Sequence, residues 1–140
     1  IGTSSKEEKS GDFNSAIAEQ IVDDLIQVER PLAIDVANYF LDMKKVFGEM
    51  HRILKTGGKA CTIIGNTSLR GVEILNAQVA AEQMQAAGFK KVDFIKREIP
   101  NKMITPWRDT ESGKFTGKDN PSKIRAYEYE YVVVMEKLSK

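Results

Sequence analysis

Between Pro31 and Gly65 the chain reads as a long one-sided helix running straight into a strand. Val36, Phe40, Met43, Phe47, Met50 and Leu54 recur at spacings of 4, 3, 4, 3 and 4, which places all six on one helical face. Pro31 suits the first turn, where its missing N–H costs nothing. Lys55 lies in the last turn and Gly57-Gly58 follow, the basic end and left-handed glycine stop of a helix C-terminus. KACTIIGN comes next, a β-branched and apolar run ending at Gly65. It reads as a strand buried on both faces, central in its sheet, with Cys61 as a small buried hydrophobe.

The flanks supply the remaining elements. Residues 1 to 13 are polar and aperiodic in the main and read as a flexible lead-in. Ile17, Ile21, Val22, Leu25 and Ile26 make one stripe of a helix capped by Asn14 or Ser15 and ending near Arg30. After a stretch that reads as loop, NTSLRGVEIL, Asn76 can cap a third helix that presents Ala80, Met84 and Ala87 inward and stops at Gly88. KKVDFIKREI reads as a strand, and AYEYEYVVVMEK alternates Tyr127, Tyr129, Tyr131, Val133 and Met135 against glutamates. About three strands and three helices imply an α/β sheet. A strand buried on both faces wants neighbours on both edges, so a partner region is expected outside the sequence.

Composition narrows the function classes. Twenty-one Lys+Arg against 20 Asp+Glu give a net charge of +1, so bulk charge demands no polyanion. One Cys and one His cannot build a zinc site, and the lone Cys61 suits a reduced, cytoplasmic setting. No apolar run approaches the roughly 20 residues of a membrane span. The first residue is Ile1 and not Met, which suits a processed or expressed fragment. His51 lies one position off the apolar helix face and reads as a surface residue.

Charge is nonetheless local. From Lys90 to Arg125 there are ten Lys/Arg (90, 91, 96, 97, 102, 108, 114, 118, 123 and 125) against five acids (93, 98, 109, 111 and 119), an excess of five, which leaves the rest of the chain at −4. Residues 100 to 125 carry Pro100, Pro106, Pro121, Gly113 and Gly117 and are too long for a hairpin turn. A basic loop with one indole suits phosphate contact or stacking on a displaced base. The alternative is a solvated insertion whose Trp107 packs back on the domain.

YFLDMKKVFGEMHRILKTGGKACTIIGN, then RGVEI with its helix, GFKKVDFIKREIPNK and EYEYVVVMEK together resemble the C-terminal half of a class I S-adenosylmethionine-dependent methyltransferase. Within that fold they are most similar to the DNA amino-methyltransferases, or modification methylases. The resemblance runs from about Tyr39 to Lys137, with Thr56 in place of the usual proline of the LKPGG turn. It implies the C-terminal portion of a Rossmann-like sheet, S-adenosylmethionine as cofactor, DNA as substrate and methyl transfer to the exocyclic amine of adenine or cytosine. The family's Gly-rich cofactor turn and its Asp/Asn/Ser-Pro-Pro-Tyr-type loop are both absent. Asn120-Pro121 is followed by Ser122, without the second proline or the aromatic residue. The chain is therefore expected to be inactive alone, without a catalytic residue of its own, and to need an upstream half of the same polypeptide.

The resemblance and the position of Gly65-Asn66 at a strand's carboxyl end make Gly65 and Asn66 candidate cofactor contacts, although Asn66 can equally cap the following turn. Arg70, Arg97, Lys102, Trp107 and Arg108 are the candidate nucleic-acid contacts, with a solvated Arg70 as the alternative. The tyrosines at 127, 129 and 131 suit packing against a helix, or else a base-stacking platform. A methyltransferase acting on RNA or a small molecule, and a non-catalytic nucleic-acid-binding module, are the competing functions.

Overall fold

The computed structural model describes residues 11–99, 107–112, 114–125 and 129–139. Among these residues three helices, α1 (Ala16–Val28), α2 (Arg30–Ile53) and α3 (Asn76–Ala86), accompany seven strands. These are β1 (Lys59–Gly65), β2 (Thr67–Leu69), β3 (Val72–Ile74), β4 (Phe89–Glu98), β5 (Trp107–Asp109), β6 (Lys123–Arg125) and β7 (Tyr129–Lys137). The main sheet has the order β1-β7-β4. β7 runs antiparallel to both neighbours, so β1 and β4 are parallel to one another, joined through α3. The expected lead-in falls mostly on residues outside those described. Phe13, at its end, packs edge-on against Phe40 at 6.1 Å.

Each helix forms for reasons visible in its ends. Ser15 is the N-cap of α1: its Oγ accepts the Ala18 N–H at 3.0 Å and donates to Glu82 Oε1 at 2.6 Å, tying α1 to α3. Glu29 closes α1 and opens α2, with Pro31 in the first turn. The stripe on α2 is the core: Val36, Phe40 and Phe47 are buried, and Met43, Met50 and Leu54 pack against the second of two apolar clusters. The glycine stop is real. Gly57 sits at φ 83°, and a Cβ on Gly58 would meet the Lys55 carbonyl at 2.8 Å. Lys137 completes this end, its Nζ donating to His51 O at 2.6 Å and Leu54 O at 2.8 Å, so the last carbonyls of α2 face a buried cation.

Several expectations need correction. β1 is an edge strand, not a central one, and only one of its faces is covered: Cys61 is exposed and Ile63 is 59% exposed. Its apolar run resembles a doubly buried strand, but helices lie on one side only among the described residues. The expected loop after Asn66 is the β2–β3 hairpin, turning at Arg70 and Gly71 with φ of 52° and 79°. Positive φ at both positions is the signature of a tight hairpin turn, and arginine in the first of them hid it. The cap of α3 is Leu75, with Asn76 already helical. His51 is half-buried, its ring edge-on to Phe89 at 4.9 Å and packed over Gly88. Gly88 does end the α3 region at φ 114°, and a Cβ there would meet His51 Nε2 at 2.9 Å. Residues 107–125 are not plain loop, since β5 and β6 pair within them; residues 100–106 lie outside those described.

β7 alternates as expected. Val133 and Met135 are fully buried, Tyr131 packs on Phe94 at 5.1 Å, and the exposed Tyr129 lies under the Lys96 ammonium at 4.2 Å. Tyr127 lies outside the described residues.

Candidate functional site

Among the described residues two regions are candidates for a site. The first is a cavity of about 550 Å³ at the carboxyl end of β1, walled by Tyr39, Met43, Phe47 and Met50 from α2, Thr62, Ile64 and Gly65 from β1, and Asn76, Val79 and Gln83 from α3. Gln83 is buried at the centre of the helix packing, its Nε2 donating to the carbonyls of Phe13 at 3.0 Å and Phe40 at 2.9 Å. Asn76 Nδ2 donates to Gly65 O at 3.3 Å. Among the described residues neither Gln83 Oε1 nor Asn76 Oδ1 has a hydrogen-bond partner. Burial raises the Tyr39 phenol above its ordinary value, which keeps its proton in place at neutral pH.

Asn66, next to Gly65, makes two side-chain hydrogen bonds within the fold. Nδ2 donates to Gln78 Oε1 at 2.8 Å, and Oδ1 accepts the Ala77 N–H at 2.9 Å, capping α3 from the end of β1. One of the free N–H groups in the first turn of α3 is thereby satisfied. Gly65 lines the cavity itself.

The second region is the small sheet of β5 and β6, organised by Asp109. Its Oδ1 accepts the N–H groups of Ser112 at 2.7 Å and Glu111 at 3.0 Å, and its Oδ2 accepts Asn120 Nδ2 at 2.7 Å. These bonds, the Ser112 N–H first and the Asn120 amide next, hold the carboxyl pKa down to about 2 from 3.8. Asn120 also donates to Thr116 Oγ1 at 3.1 Å and accepts the Ser122 N–H at 2.8 Å, so Asn120-Pro121 is a structural turn. Above this frame the Arg108 guanidinium lies over Phe115 at 5.0 Å and the Lys123 ammonium over Trp107 at 5.3 Å.

A depressed carboxyl favours the fold above its unfolded value and ceases to do so as pH falls through its folded value. The β5–β6 unit is therefore expected to keep its full Asp109 contribution above about pH 4 and to lose it towards pH 2. Trp107 fluorescence followed against pH checks this, and Asp109→Asn should remove that acid transition. An unchanged transition in the variant would assign it to another group.

The structure thus separates the candidate residues. Trp107 and Arg108 share the β5–β6 unit. Arg70, on the hairpin turn, reaches it by donating to Glu111 O while its Nε bonds Glu29 Oε2 at 2.8 Å. Arg97 is on β4, ion-paired with Glu130. Lys102 lies outside the described residues. Lys114 and Lys118 are exposed on the same unit, with Lys123 half-buried over the indole. Sequence reasoning did not single these three out, although they were part of the local charge excess. Among the described residues no cluster of His, Cys, Asp or Glu can hold a metal, and no helix is long and apolar enough to cross a membrane.

No family model matches the sequence, and no curated protein matches it. Among solved structures the fold is similar to TTHA0409 of Thermus thermophilus, named as a candidate DNA modification methylase and crystallised in complex with S-adenosyl-L-methionine. The TM-score is 0.50 at 20% identity, over 77% of this chain and 41% of that one. The selenomethionine crystal of the same protein matches at a TM-score of 0.50 and 20% identity, over 76% and 40%. This chain spans less than half of the solved chain it resembles. The likeness is one of fold: this chain is folded as part of that solved chain is.

Proposed function

We propose that this chain is the C-terminal part of a site-specific DNA methyltransferase that moves a methyl group from S-adenosylmethionine to the exocyclic amine of adenine or cytosine. The observation that carries the reading is the wording of the segments from Tyr39 to Lys137, and the fold similarity to a protein crystallised with S-adenosyl-L-methionine supports it. On this reading the donor brings an activated methyl on a sulfonium sulfur, so the protein's task is alignment in a dry pocket.

On this reading the described residues supply only part of the cofactor site. Among them the only polar side chains on the 550 Å³ cavity wall are Tyr39, Thr62, Asn76 and Gln83, with no charged group. The Asn66 amide makes one donated and one accepted hydrogen bond within the fold. An amino-acid carboxylate and ammonium therefore find no counter-charge there. Gly65 and Asn66 enter the reading as one wall, through main chain, and the β5–β6 unit with Arg70 as the face turned to DNA. The rest of the site is assigned to an upstream segment of the same enzyme, whose expected setting is the cytoplasm.

Calorimetry with S-adenosylmethionine is expected to show no saturable binding to this chain alone. Reunited with its upstream segment, the protein should transfer labelled methyl to duplex DNA. Transfer to RNA and not to DNA would favour the RNA enzyme, and transfer to neither would sink the methyltransferase reading. DNA binding that persists without any transfer would leave the non-catalytic binding module in its place.

A further inference from the structure

The acids and bases of this chain are sorted by element. From Asp12 to Glu29, a stretch that includes all of α1, there are five acids and no Lys, Arg or His. A groove of about 680 Å³ lies between α1 and β3 and shares no lining residue with the cavity beside β1. Its apolar walls are Ile17, Val72 and Leu75, each packed on the first apolar cluster, and Val28, which is 55% exposed. Among the described residues the only charged groups lining it are Asp24 and Glu73, both exposed. An apolar trough with carboxylates at its sides suits an apolar side chain flanked by cations.

The chain itself carries such a group. Phe115 is 47% exposed and lies between the exposed Lys114 and Lys118, with no acid among them and Asp119 following. Its place is fixed, because the Asp109 N–H donates to Lys114 O at 2.8 Å and the Thr116 N–H to Trp107 O at 3.0 Å. The Arg108 guanidinium covers one side of the ring. An anchor held in this way loses little freedom on docking. No residue of the β5–β6 unit lines the groove of its own chain among the described residues. The two features are nonetheless neighbours: Gly71 lines the groove, and Arg70 beside it donates to Glu111 O in the unit. A two-fold axis can therefore bring two grooves and two tips together in one reciprocal exchange.

We propose that a second copy of this chain occupies the groove, Phe115 of each copy entering the trough of the other with Lys114 and Lys118 facing Asp24 and Glu73. The pairing is weak and salt-sensitive, since exposed ion pairs contribute little each and are screened. It covers two of the lysines that the functional reading turns to DNA, so a duplex and the second copy compete for them. Only this competition rests on that reading; the pairing itself does not.

In sedimentation velocity at low salt the coefficient of the unaltered chain should rise with concentration towards that of a dimer and fall back as salt is added. Asp24→Lys with Glu73→Lys, and separately Lys114→Glu with Lys118→Glu, should each weaken the pairing by roughly tenfold or more, because like charges then meet. An equal mixture of the two double variants should pair again, since both contacts regain opposite charges, a rescue that misfolded variants could not show. Phe115→Ala should weaken the pairing by about tenfold with no change of charge. Duplex DNA should dissociate the unaltered pair; a pair that survives saturating duplex would overturn the competition alone. An unaltered chain that stays monomeric at every concentration, or a mixture of variants that stays monomeric, would overturn the proposal. So would a lysine-rich amphipathic peptide that binds the groove of a monomeric chain, which would assign the groove to another protein.

Discussion

Lys137→Met is expected to lower the unfolding free energy by about 3 kcal/mol, because two charge-assisted hydrogen bonds at a helix end are lost together. Lys137 is 6% exposed and its ammonium meets the carbonyls of His51 and Leu54. Its main chain also brackets Gly57 and Gly58, so one residue at the end of β7 fixes where α2 stops. Methionine keeps the stem's apolar volume and leaves both carbonyls without their cation. In a domain of this size the loss corresponds to about 10 °C in Tm. Urea and thermal unfolding of the two proteins give the measurement, with Lys137→Arg retaining most of the stability. A loss below about 1 kcal/mol would show that water serves those carbonyls as well as the lysine does.

What was legible in the sequence follows from the range of each interaction. The α2 stripe, its Gly57-Gly58 stop and the alternation of β7 are set by neighbours three, four or two residues apart, and the structure has them. The role of Lys137 was not legible, since it depends on partners 83 and 86 residues away. The misplacement of β1 has the same origin: an aliphatic run shows that a strand can be buried, while its neighbours decide whether it is. The β2–β3 hairpin was missed because Arg70 occupies a left-handed position usually given to Asn or Gly. At the candidate site, the position of Gly65-Asn66 at a strand end was readable. That Asn66 bonds Gln78 and the Ala77 N–H was not, because the α3 N-terminus had to fold back on it. The basic excess of residues 90–125 was countable. Its partition into ion-paired Arg97 and the lysines of the β5–β6 unit, like the tethering of Arg70 to Glu29, is set by tertiary pairing, which spacing along the chain does not encode.

That partition makes the largest functional effect specific. If the β5–β6 unit faces DNA, the combined substitutions Lys114→Ala, Lys118→Ala and Lys123→Ala should weaken binding of a short duplex by about 10²-fold at 0.1 M salt. The slope of log affinity against log salt should fall by about three, one for each phosphate that no longer meets a lysine. Arg70 and Arg97 already answer Glu29 and Glu130, so their single alanine variants should change the slope by less than one. Lys45, Lys59 and Lys90 are exposed on α2, β1 and β4, and their triple alanine variant removes the same charge from elsewhere on the surface. Equal losses in the two triple variants would mean that only net charge counts and that no face is preferred. A loss confined to the first set would localise the phosphate path to the unit held together by Asp109, and the Trp107 fluorescence of the variant would show that the unit is still folded.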